Sequence, residues 1–146
     1  MLEQPRIIIG GHGMPEKNHI LPEGMFDSSH YGYTQVVTSS PGTLIFISGQ
    51  VAWDEEGNVV GDDVSTQAKQ ALNNLAKALD AAGATPADLT SIRVYIPNYE
   101  LDHALQLGPV LSDFLEGANP PAQTLLGVQS LAMHDLLIEI EAMAVV

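Results

Sequence analysis

Residues 136–146 read LLIEIEAMAVV, and two kinds of side chain alternate along this stretch. Ile138 and Ile140 fall on one side of an extended strand, and Glu139 and Glu141 fall on the other, since successive strand residues point to opposite faces. The pattern predicts a strand with one face in the core. A buried carboxylate is costly unless it is paired or functional. The sequence leaves open whether these two serve chemistry, face solvent or lie at a subunit contact.

Strand patterns also occur upstream of this segment. Two β-rich runs, 33–37 and 44–47, flank the sequence SSPG at 39–42. Proline followed by glycine favours a tight turn, so we expect the two runs to form a hairpin. Three further strands are predicted near 92–96, 124–128 and 136–145.

Two segments carry the helical period. In the first, apolar residues recur at three- and four-residue steps over 64–82, and either Asp63 or Ser65 can cap its start. The second covers about 101–115 and contains Pro109. We expect a kink or a break there, because proline removes a hydrogen bond and clashes with the preceding turn.

The order of these elements predicts an α+β fold in which two helices cover one face of a mixed sheet of about six strands. The other face would then be bare, and further copies of the chain are the economical way to cover its apolar residues. The 146 residues fit one domain. We expect this single domain to span 18–146, after an irregular N-terminal arm over 1–17.

Composition and charge argue against several classes of function. Eighteen acidic residues against five basic ones give a net charge of −13, so we expect neither nucleic acid nor an anionic membrane as a partner. The chain has no cysteine, and its histidines lack metal-ligand spacing, so we expect no metal and no cofactor. The sequence shows no signal-peptide or membrane-spanning run, which predicts a cytoplasmic protein.

Five segments resemble the Rid (RidA/YjgF) family in sequence and in spacing. The match extends in unbroken order over roughly residues 18–146. Its segments are FISGQV at 46–51, QAKQALNNLAKALDAAG at 67–83, VYI at 94–96, PAQT at 121–124 and IEIEAMA at 138–144.

This resemblance implies a chorismate-mutase-like protomer, a homotrimer and small-molecule clefts between neighbouring subunits. Well-known members hydrolyse 2-imino or enamine acids to 2-keto acids and ammonia, with a glutamate that helps to deliver water and an arginine that holds the substrate carboxylate. By position, the resemblance implies that Glu139 is the catalytic carboxylate and that Tyr33, Gly49 and Gln106 line the cleft. Gln123 stands where the family has its arginine, which indicates an arginine-lacking subgroup.

The exchange of arginine for Gln123 bears on the substrate. A guanidinium grips a carboxylate with two charged hydrogen bonds, each contributing about 1.5–3 kcal/mol against about 1 kcal/mol for a neutral one. We therefore expect 2-imino acid hydrolysis to be weak or absent. Glu139 would still activate water, and an amide such as that of Gln123 suits a neutral or amide-bearing ligand. The sequence leaves open a second interpretation, a non-catalytic trimer that binds a small ligand or a protein.

Overall fold

The computed structural model describes residues 16–146. The strands are β1 (Lys17–Ile20), β2 (Val36–Ser39), β3 (Leu44–Gln50), β4 (Leu89–Pro97), β5 (Ala122–Val128) and β6 (Glu139–Val145); the helices are α1 (Val64–Ala81) and α2 (Leu101–Leu115). The predicted α+β class is confirmed. The predicted arm over 1–17 lies almost wholly outside the described residues, and Lys17 is the first residue of β1.

The six strands form a mixed sheet of four and an antiparallel ribbon of two. In the larger sheet the order is β3-β6-β4-β5, with β6 antiparallel to both neighbours and β4 parallel to β5. The ribbon pairs β1 with β2. Thr34, two residues before β2, forms an isolated β-bridge with Ala122, the first residue of β5. The predicted number of strands is confirmed, although they do not share one continuous sheet.

The predicted hairpin between β2 and β3 was wrong. Four residues separate these strands, yet β2 pairs with β1, while β3 pairs with β6 in a register that places Phe46 opposite Met143. Turn signals are local, whereas the partner of a strand is decided by which apolar face must be covered. Ile45 and Ile47 of β3 pack against the core beneath the helices. They can do so because β3 lies beside β6, whose apolar side chains belong to the same core.

Both helices pack on one face of the four-stranded sheet, as predicted. Leu75 and Leu79 of α1 and Leu107 of α2 are almost fully buried against Val94 and Ile140 of the central strands. Burial of each such side chain stabilises the fold by about 1.5–3 kcal/mol. We call this side of the sheet the helix face and the opposite side the open face.

The ends and the middle of the helices test two predictions. Asp63, one of the two candidate caps, accepts a 2.7 Å hydrogen bond from the amide of Thr66 at the start of α1, and the bonds from Thr66 hold the pKa of Asp63 below its usual range. Of the kink or break expected at Pro109, the break was wrong, because α2 continues through this residue. Pro109 and Leu105, whose carbonyl loses its donor, lie on the exposed side of the helix, where water can replace the missing bond.

Within residues 16–146, no helix has the length and apolarity needed to cross a membrane.

Gln67 is a fully buried polar residue that joins α1 to the segment before β6. Its amide nitrogen donates to the carbonyl of Gly61 at 3.0 Å and to that of Asp135 at 2.8 Å. Its amide oxygen accepts from the backbone amide of Leu137 at 2.8 Å. These bonds hold the chain two residues before Glu139, so the helix helps to set where β6 begins.

We predict that Gln67→Leu lowers the free energy of unfolding by about 1–3 kcal/mol, because it leaves the partly buried amide of Leu137 and two carbonyls without these partners. Urea unfolding followed by circular dichroism measures the loss. Gln129 is exposed, so the control Gln129→Leu should change stability by less than about 0.5 kcal/mol. Equal effects of the two substitutions would contradict this role for Gln67.

Candidate active site

The two carboxylates of β6 lie together on the open face. In the register of the sheet, Glu139 stands opposite Tyr95 and Glu141 opposite Arg93. Ile138 and Ile140, which alternate with them, are completely buried on the helix face. The alternation predicted from the sequence is confirmed, and it places both acids among the side chains of β4.

Glu141 is committed to partners within the chain. Its carboxylate accepts a short hydrogen bond from the hydroxyl of Tyr95, and Nη1 of Arg93 lies 3.5 Å from its Oε1. The hydrogen bond to Glu141 raises the pKa of Tyr95, and partial desolvation and the negative charge of the carboxylate act in the same direction. Glu141 therefore serves as an acceptor for two neighbours, and its charge is largely compensated.

Glu139 lies against the backbone of Gly49 in β3. A Cβ at Gly49 would lie 2.7 Å from Cδ of Glu139 and would overlap its Oε1, so only glycine leaves room for the carboxylate in this position. Both residues line a hollow of about 370 Å³ together with Tyr95, Val128 and Ser130. Among the described residues, none forms a hydrogen bond or an ion pair with the carboxylate of Glu139. We call this cavity the Glu139 hollow.

Tyr33 and Gln123 line a second and larger hollow on the other side of the sheet. Gln123 pairs with Ile92 in the register of β5 and β4, and Ile92 is buried in the core on the helix face. The cavity has a volume of about 520 Å³ and reaches Leu111 of α2. We call it the Gln123 hollow.

The aromatic lining of the Gln123 hollow was missed by the analysis of the sequence. Phe26, Tyr31 and Tyr99 contribute to its walls beside Tyr33. The run YGY at 31–33 was a visible signal. No local pattern connects it to Tyr99, because that residue reaches the cavity from the turn before α2.

Gln106 lies apart from both hollows. Its amide donates a 2.7 Å hydrogen bond to Asp102, one turn earlier on α2, and it lines neither cavity. The five residues predicted for the site therefore form two pairs and one outlier within a single chain. Gly49 and Glu139 meet on the open face, whereas Tyr33 and Gln123 meet on the helix face.

No basic side chain lines the Gln123 hollow among the described residues. Lys17 donates to the carbonyls of Ala87 and Leu89, and desolvation there lowers its pKa. Lys77 lies 3.7 Å from the carboxylate of Glu55. Within residues 16–146, no group of three or more acidic or histidine side chains could hold a metal ion.

The sequence comparisons identify similar proteins over most of the chain. A sequence model of the family described as endoribonuclease L-PSP matches residues 27–146. A RutC family protein of Pyrococcus abyssi is 33% identical over 113 residues, which is 77% of this chain and 84% of the relative. A 2-iminobutanoate/2-iminopropanoate deaminase of Salmonella typhimurium is 34% identical over 105 residues, which is 71% of this chain and 80% of the relative.

Solved structures show the same fold. The Rid family protein YyfB of Yersinia pestis superimposes with a TM-score of 0.86 at 40% identity, covering 89% of this chain and 98% of YyfB. A Mycobacterium tuberculosis member of the YjgF/YER057c/UK114 family gives a TM-score of 0.61 at 29% identity, covering 90% of this chain and 100% of that protein.

The contact between Tyr95 and Glu141 predicts a distinct step in an alkaline titration. The pKa of Tyr95 is raised above its usual value of about 10, so its phenol should contribute a titration step above that pH. The stabilisation from this protonated phenol is present below about pH 10 and is lost as the pH rises through the raised pKa. Absorbance at the phenolate band measures the titration.

Two variants make this titration specific. Tyr95→Phe should remove the step of Tyr95, and Glu141→Gln should move it to lower pH, whereas Tyr99→Phe should leave it in place. A titration curve that is the same in Tyr95→Phe as in the wild type would show that Tyr95 is not the phenol held by Glu141.

Proposed function

The chain belongs to the endoribonuclease L-PSP (Rid/YjgF) family, and we propose that it forms a homotrimer with small-molecule clefts between subunits. In each cleft, Glu139 activates water to hydrolyse an imine, an enamine or a related C–N compound. The observation that carries the proposal is the position of Glu139. Its carboxylate lies in a hollow without a partner from the described residues, and Gly49 makes the room that it occupies.

The open face supports association of the chain with itself. Phe46 is 73% exposed and Leu44 is 63% exposed on β3, and Met143 lies beside Phe46 on β6. Apolar residues grouped in this way mark an interaction surface. Glu139 and Gln123 point to opposite faces of the sheet, so one cleft can contain both only if two copies contribute to it.

The chemistry of Glu139 follows from its free carboxylate. As a general base it takes a proton from water while the hydroxyl adds to the carbon of the C=N bond. That proton passes to nitrogen and gives a tetrahedral carbinolamine. Its hydroxyl proton is then transferred to nitrogen by way of Glu139 as the C–N bond breaks, so that a carbonyl compound and ammonia leave. The sum is imine plus water giving carbonyl compound plus ammonia, which needs no redox partner.

Gln123 supports a substrate other than a 2-imino acid. A neutral amide cannot supply the charged two-pronged bond that a carboxylate takes from a guanidinium. The net charge of −13 adds long-range repulsion of anions. The Salmonella relative bears the name of a 2-imino acid deaminase, and we propose that this activity is weak here. The same negative charge argues against a ribonuclease function.

We predict that 2-imino acids generated by an amino-acid oxidase are turned over weakly by the wild type. Gln123→Arg should raise kcat/KM by about tenfold or more, since it exchanges neutral for charged hydrogen bonds. In that background Glu139→Gln should abolish turnover, and Glu141→Gln should retain most of it because Glu141 is committed to Tyr95 and Arg93. Absorbance of the imine measures the rate.

Two outcomes would overturn this assignment. Robust wild-type turnover that disappears in Gln123→Ala would remove the argument about the substrate. Ligand binding without any hydrolysis, unchanged in Glu139→Gln, would favour the non-catalytic binding trimer.

We predict that light scattering gives a mass three times the 15.6 kDa of the chain. Phe46→Asp should dissociate the assembly, because an unpaired charge in an apolar interface costs on the order of several kcal/mol. It should also abolish turnover, because each cleft needs two copies of the chain. The control Leu105→Asp changes an apolar residue of α2 that is 67% exposed. It should leave the mass unchanged, because α2 lies on the helix face of the sheet. A Phe46→Asp protein that folds, stays trimeric and remains active would exclude this interface.

A further inference from the structure

The walls of the Gln123 hollow are unusually aromatic for a chain with few aromatic residues. Phe, Trp and Tyr make up 5% of the sequence, yet Phe26, Tyr31, Tyr33 and Tyr99 all line this one cavity. Its volume of about 520 Å³ falls within the range of about 300–1,000 Å³ found for small-molecule sites. The concentration of rings therefore indicates a ligand with a flat apolar surface.

The rings are placed to receive such a surface. The ring centroids of Phe26 and Tyr31 lie 5.5 Å apart at an angle of 47°, so these two side chains form a pair on one wall. Phe26 is 63% exposed and Tyr31 is 69% exposed, so no other part of the same chain covers most of their apolar area. Tyr99 enters from the turn before α2, and the centroid of its ring lies 6.2 Å from that of His103. Stacking on exposed rings gains both apolar burial and specific ring contact.

The polar groups of the cavity are uncharged. Gln123 offers one donor group and one acceptor, and no described residue forms a hydrogen bond with its side chain. Thr124 and the phenols of the lining tyrosines are also neutral. Since no described cation lines the cavity, a carboxylate buried there would lose water without gaining a charged partner.

We propose that the Gln123 hollow binds an uncharged, planar ring compound bearing an amide-like edge, with its face on the aromatic walls and its edge on Gln123. The inference rests on the proposed function, because it names the ligand class of the same cleft. The donor and acceptor of such an edge match the acceptor and donor of the glutamine amide. The carbon–nitrogen bond that is hydrolysed by the water activated by Glu139 would lie on or beside this ring.

Three probes of similar size test the proposal on the full chain. Benzamide is planar, neutral and amide-bearing; benzoate replaces the amide with a charge; cyclohexanecarboxamide keeps the amide and lacks the flat ring. Titration calorimetry should show benzamide binding about fivefold or more tightly than either of the others. Equal or tighter binding of benzoate or of cyclohexanecarboxamide, or no measurable binding of benzamide, would overturn the proposal.

Variants locate the binding to this cavity. Phe26→Leu and Tyr99→Leu remove a ring but keep apolar bulk, and each should weaken benzamide about threefold or more. Met25 is exposed beside Phe26 and does not line the hollow, so Met25→Leu should have no effect. Gln123→Arg should reverse the preference toward benzoate. Circular dichroism verifies that each variant is folded, and an unchanged preference in folded Gln123→Arg would contradict the assigned edge contact.

The binding experiment and the hydrolysis assay fail separately. Selective benzamide binding without any hydrolysis that depends on Glu139 would overturn the proposed function and leave the ligand class standing. Hydrolysis that depends on Glu139, with no preference among the three probes, would overturn the ligand class and leave the proposed function standing.

Discussion

The structure depends on the requirement that one side of β6 be sealed beneath the helices. Ile138 and Ile140 are completely buried in the core, so the alternation of a strand forces Glu139 and Glu141 onto the open face. A shift of one residue in register would move the carboxylates into the apolar interior, where their desolvation would be very costly. The same constraint that closes the core therefore places both carboxylates on the open face. The buried amide of Gln67 helps to hold this register by its bond to the backbone of Leu137.

The two glutamates differ through their neighbours. Tyr95 and Arg93 compensate the charge of Glu141, whereas Gly49 leaves space around Glu139 and supplies no side chain to bind it. The resemblance to the family selected Glu139 by position, and the geometry gives a physical reason for the same choice. Among residues 16–146, no Lys or Arg side chain lines the Gln123 hollow, so no described cation takes the role that the family resemblance gives to an arginine.

Membership of the family establishes the fold of this chain, but it does not establish the reaction. The chain superimposes closely on YyfB, and names as different as endoribonuclease and imino acid deaminase occur among the matches. Function is decided by the groups in a site rather than by the scaffold. In this chain the informative groups are the carboxylate of Glu139, the amide of Gln123 and the aromatic walls around that amide.

The sequence by itself determined most of the local structure, namely both helices, two candidate caps for the first helix, most of the strands and the two-faced character of β6. These features depend on near neighbours along the chain, whose period and capping chemistry can be read directly. Only the tertiary structure decided that β3 pairs with β6, that α2 continues through Pro109, and that Gln123 faces away from Glu139. It also brought Tyr99 to the cavity that contains Phe26. Such relations join residues far apart in sequence, and they are set by which surfaces must be covered together, so no local pattern encodes them.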